Sequence, residues 1–147
     1  MTDSVTTQKI ETTILNNLIF NEEYTRKVIP FIKEDYFQDG IEKVLFRTIG
    51  SYVEKYKINP ELEALSLDLQ KVSFNEEQFK AANAYIEELK PSKVNLEWLL
   101  NETERWCKDK AIYNAVLNGI HIIDGQVKDV TPDAIPEILT EALAVSF

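Results

Sequence analysis

Residues 95–124 read NLEWLLNETERWCKDKAIYNAVLNGIHIID, a run without proline and with one interior glycine, Gly119. Thirty such helix-forming residues make a rod of roughly 45 Å, longer than one small domain can bury. Apolar residues recur at Leu96, Leu99, Leu100, Trp106, Tyr113, Val116, Leu117, Ile120 and Ile123, which traces one helical face. A shorter stripe adds Ile112, Ala115 and Ile122. The C-terminal half of the rod is therefore apolar around more than half its circumference and demands more than one packing partner. One partner is in the sequence. After a turn at 125–130, Thr131-Pro132 offers an N-cap followed by a first-turn proline, and Ala134, Ile135, Ile138, Leu139, Ala142 and Leu143 repeat at helical spacing. The two helices should form an antiparallel hairpin over residues 94–147. The surface it leaves open is a candidate protein interface, to which we assign Trp98, Leu99, Ile112, Ala115, Val116 and Ile122.

Upstream, the chain reads as about five helices in a small globule over residues 1–93. Ile10, Ile14, Leu15, Leu18 and Ile19 form the stripe of the first, with Asp3 or Ser4 available as its cap. Asn21 caps a short second helix that Pro30 ends, and the turn after it should drive Phe31, Tyr36 and Phe37 into the core. Gly40 opens a third helix running to Tyr56, whose interior Gly50 costs about 1 kcal/mol against alanine and predicts a close helix crossing. Asn59-Pro60 predicts the start of a leucine helix, and Ser73 or Asn75 starts a fifth. Lys90-Pro91-Ser92-Lys93 ends the globule. No stretch alternates with period two, so the fold class is all-α.

The chain has 147 residues and a formal net charge of −9, from 25 acidic and 16 basic residues. That field repels phosphate and argues against sequence-independent nucleic-acid binding, although residues 1–57 hold half of the lysines and arginines. No run of eighteen apolar residues and no signal-peptide layout occur, which predicts a cytoplasmic protein without a membrane partner. The single cysteine, Cys107, cannot build a disulfide or a zinc site and reads as an apolar filler beside Trp106. The lone His121 has no glutamate three residues before it, as a di-iron helix would require. The acidic pairs Glu22/Glu23 and Glu76/Glu77 sit in first helical turns, where the helix dipole accounts for them; a third pair is Glu34/Asp35. With no phosphate-binding glycine loop, no catalytic, cofactor or metal residue can be named. Trp98 and Trp106 admit two readings, interface anchors or core packing.

Leu18-Ile19-Phe20, Asp35-Tyr36-Phe37, Ile41 through Phe46, Trp98-Leu99 with Glu102-Thr103-Glu104, and Ala134-Ile135-Pro136 through Ser146-Phe147 carry a resemblance that spans the chain. It is similar to the N-terminal domain of DnaB-type replicative DNA helicases, in particular those of the T-even-like phages. The resemblance implies a collar domain of a hexameric ring in which hairpins pair between protomers and which contacts primase and, in phages, a helicase loader. It also implies that ATP, Mg and DNA belong to a RecA-like ATPase domain beyond a linker and absent from this chain, and that the protein works in the host cytoplasm. Three other readings stand beside it: a free-standing helical adaptor or loader-like module, a small DNA-binding helical domain using the basic N-terminal half, and, last, an enzyme in its own right.

Overall fold

The computed structural model of the protein describes residues 3–38 and 40–147, with the backbone alone for residues 3–8, so the cap expected at Asp3 or Ser4 lies outside the described side chains. The fold is all-α, as the periodicity predicted. Its helices are α1 (Asp3–Phe20), α2 (Glu22–Val28), α3 (Ile41–Tyr56), α4 (Leu62–Leu69), α5 (Glu76–Glu87), α6 (Leu96–Ile123) and α7 (Ile135–Leu143), and no strand occurs among the described residues. No helix among them is long and apolar enough to cross a membrane.

Three asparagines start three of these helices. Asn21 accepts from the Tyr24 amide, Asn95 accepts from the Trp98 amide, and Asn75 forms a reciprocal capping box with Gln78. Two expected starts shift. Asn59 spends its side-chain amide on the Ile19 carbonyl at the end of α1 (3.3 Å), so α4 begins at Leu62 instead, behind a buried Pro60. Thr131 makes no side-chain cap bond; residues 132–134 form a 3-10 turn and α7 follows with Pro136 in its first turn.

The core of the globule is built by Ile14, Leu15 and Leu18 of α1, Tyr24 and Val28 of α2, Leu45 and Ile49 of α3, and Leu65 and Leu69 of α4. It does not stop at residue 93. Leu99, Thr103, Trp106 and Cys107 on the first half of α6 are buried in the same apolar cluster, so this half of the rod is a core helix of the globule. Trp106 is the centre of an aromatic group. Phe37 stands edge-on to it at 4.9 Å between centroids, Tyr36 does so at 6.0 Å, and Phe37 in turn stacks on Phe46 of α3 at 4.9 Å. This settles Trp106 as packing. Beside it, the Tyr24 and Thr103 hydroxyls pair at 2.7 Å while Thr103 also donates to the Leu99 carbonyl, a satisfied polar key between α2 and α6.

Phe31 departs from expectation. It is 39% exposed and stacks on Phe147, because the chain turns outward after Pro30 and Ile32 takes the inward place. Gly50 departs too: nothing lies within 4 Å of where its Cβ would be, so no helix crosses there.

Gly50→Ala should therefore raise stability by up to about 1 kcal/mol, roughly 2–4 °C in the melting midpoint, since propensity improves and nothing clashes. A lower midpoint would contradict this. Thr103→Val strands the buried Tyr24 hydroxyl, whereas Tyr24→Phe leaves Thr103 bonded to Leu99. Urea unfolding should show losses of about 2 and about 1 kcal/mol respectively, and the reverse order would refute the assignment.

Candidate protein interface on the helical arm

Past the globule the rod changes character. The Asn114 side chain donates to the Asp35 carbonyl at 2.9 Å, and beyond this contact α6 continues for about nine residues, or roughly 14 Å, beside α7 and the 3-10 turn Pro132–Ala134. Ala111, at its approach, and Ala115, Gly119 and Ile122 within it are buried on one side of the rod. Ala111, Ala115 and Gly119 lie four apart and form a row of small residues, and α7 lays its apolar side along it: a Cβ on Gly119 would meet the Ile135 side chain at 3.6 Å. The antiparallel hairpin expected from the sequence is present.

The opposite side of α6 is bare. Tyr113 is 64% exposed and Ile123 67%, with Val116, Leu117 and Ile120 also exposed. At 100° per residue these five fall within a sector of about 120°. From Ala111 to Ile123 the sequence holds no Asp, Glu, Lys or Arg in a chain of net charge −9, so this face offers apolar contact without charges to desolvate. Toward the globule the same face runs into a groove of about 700 Å³ between α1 and α6, lined by Ile10, Trp98, Arg105, Trp106 and Tyr113.

The structure divides the six residues assigned to the interface. Trp98 (51% exposed) and Val116 lie on the open face. Leu99 is wholly buried against the globule, Ala115 and Ile122 are buried in the arm, and Ile112 is half-buried against the core. Leu99, Ala115 and Ile122 therefore have no surface left for a second chain, because the narrow side of α6 admits its own partner helix and the bulky side is turned out. Tyr113, Leu117, Ile120 and Ile123 are the large apolar side chains left exposed on this stretch instead. The signal for them was the i, i+4 row of alanine and glycine, which marks where a helix approaches closely.

Of the chemistry-bearing residues, Cys107 and Glu34 belong to the globule and His121 lies on the arm. Cys107 is buried, and burial, with the Glu104 charge adding to it, pushes its thiol up to about 12. The His121 side chain is half-exposed, and its carbonyl accepts from the Gln126 amide at the turn. Glu34 is held below the usual carboxylate range by Arg47, whose Nε and one Nη both donate to it. No group of three His, Cys, Asp or Glu suited to a metal ion occurs among the described residues. A second groove of about 790 Å³, between α2 and α3, is lined by both signs of charge and by Gly50.

The chain is 34% identical over 142 residues to a DnaB-like replicative helicase of Enterobacteria phage T4, a match covering 91% of this chain and 30% of that protein. The resemblance stated from the sequence is thereby borne out. No model of a known protein family matches the chain.

In dilute protein, Val116→Asp and Ile120→Asp should leave stability within about 0.5 kcal/mol of the original, whereas Ala115→Asp should cost at least about 2 kcal/mol. Equal losses at all three positions would show that the outward face is packed after all.

Proposed function

For a chain related along nine-tenths of its length to a phage DnaB-like replicative helicase, we propose the role of the N-terminal collar domain of a hexameric ATP-dependent helicase in phage DNA replication. In this reading the arm pairs protomers and the globule offers the contact for primase and a helicase loader. ATP, Mg and DNA are handled by an ATPase domain outside the 30% of the relative that this chain spans.

One observation carries the pairing. The exposed residues Tyr113, Val116, Ile120 and Ile123 are symmetric about the level of Asn118, at five and two residues on either side. Two arms laid antiparallel with a two-fold axis at that level would oppose Val116 to Ile120 and Tyr113 to Ile123. Each exposed side chain of that set then meets another, which is what an isologous contact requires. The absence of charge along the strip removes a desolvation cost, while the net charge of −9 opposes approach at long range. Weak, concentration-dependent dimerisation of the isolated chain follows.

Sedimentation equilibrium over increasing concentration should give a monomer–dimer equilibrium that Val116→Asp and Ile120→Asp abolish, with Ile58→Asp, an exposed apolar position on the globule, as the unaffected control. For the register, a mixture of Val116→Cys and Ile120→Cys proteins should cross-link faster than either alone, since buried Cys107 stays unreactive. A wild-type monomer at all concentrations would overturn the pairing.

A further inference from the structure

We propose that residues 132–147 are a releasable strap on the arm, held closed at its far end by Phe31 and Glu104. The near end is weakly fixed. Neither the 3-10 turn Pro132–Ala134 nor α7 has a side-chain cap, and the turn before them passes through positive φ at Gly125 and at Asp129, a residue that adopts it less readily than glycine. In the middle, α7 has nine residues, too few to hold a helix without packing, and of its apolar side chains only Ala142 is buried; Ile135, Ile138 and Leu139 are half-buried and Leu143 is 67% exposed.

The far end is where directional contacts gather. The Phe147 ring stacks on Phe31, with centroids 5.0 Å apart and planes 23° from parallel. The Phe147 amide donates to the Glu104 carboxylate at 2.7 Å, a charge-assisted hydrogen bond. Phe31 belongs to the segment after α2 and Glu104 to the globule half of α6, so both anchors sit on the body that the strap must reach across to.

What the strap covers gives the latch its consequence. Under α7 lies the row Ala111, Ala115 and Gly119. Closed, the arm shows one apolar face; open, its outer half is apolar on both sides. The Phe31–Phe147–Glu104 contact thereby governs how much sticky surface the arm presents. The strap is a property of the single chain and stands whether or not arms pair.

Native-state hydrogen exchange on the dilute 147-residue chain tests it. Phe147→Ser and Glu104→Ala should each speed exchange of the α7 amides by about tenfold while the amides of α1 and α3 keep their rates, and Phe147→Tyr, which preserves the stack, should exchange as the original does. The proposal is overturned if α7 rates are unchanged in both variants, if α1 and α3 accelerate by the same factor, or if Phe147→Tyr opens the strap as far as Phe147→Ser.

Discussion

A helix of 28 residues is about 42 Å long, and a globule of fewer than a hundred residues cannot cover it. Every other feature of the molecule answers that constraint. The first half of α6 is taken into the core, where Trp106 sits among Tyr36 and Phe37 and Thr103 is hydrogen-bonded to Tyr24. The second half has α7 and the turn before it, which cover one side. Because that side is lined by Ala111, Ala115 and Gly119, the two helices approach closely and the large residues are turned to the other side. The close fit inside the arm and the bare face outside it have one cause.

Charge is distributed to suit. The body of the protein is acidic, yet thirteen consecutive residues of the arm, from Ala111 to Ile123, carry no acidic or basic side chain other than His121. A solvated helix normally uses its outer face for charged residues, which keep it soluble and apart from its copies. Repulsion between acidic bodies acts over about 10 Å and is screened by salt, whereas apolar burial acts at contact. Under the proposed pairing, salt that screens the acidic bodies should therefore strengthen contact between arms.

Much of this was legible in the sequence, and the failures share a form. Helix type, order and approximate ends follow from period 3.6 and from Asn21, Asn75 and Asn95 as caps, because these signals are local. The hairpin followed from the same logic. What periodicity could not assign was which of two apolar faces of α6 goes inward, since both stripes read as buried; Leu99, Ala115 and Ile122 went to the wrong side for that reason. The remaining departures depend on distant partners. Asn59 is diverted by the Ile19 carbonyl, Phe31 is drawn to Phe147, more than a hundred positions away, and Gly50 faces a groove rather than a crossing helix.

In the single chain α6 presents one face to α7 and the opposite face to solvent. Methyl NMR with a soluble paramagnetic probe tests this arrangement, reading Ile122 against Ile120 and Ile123 within one turn of the helix. In dilute protein Ile120 and Ile123 should broaden strongly with Ile122 shielded, and, under the proposed pairing, concentration should protect the first two while leaving Ile122 unchanged. Shielded Ile120 and Ile123 methyls in the dilute monomer would contradict it.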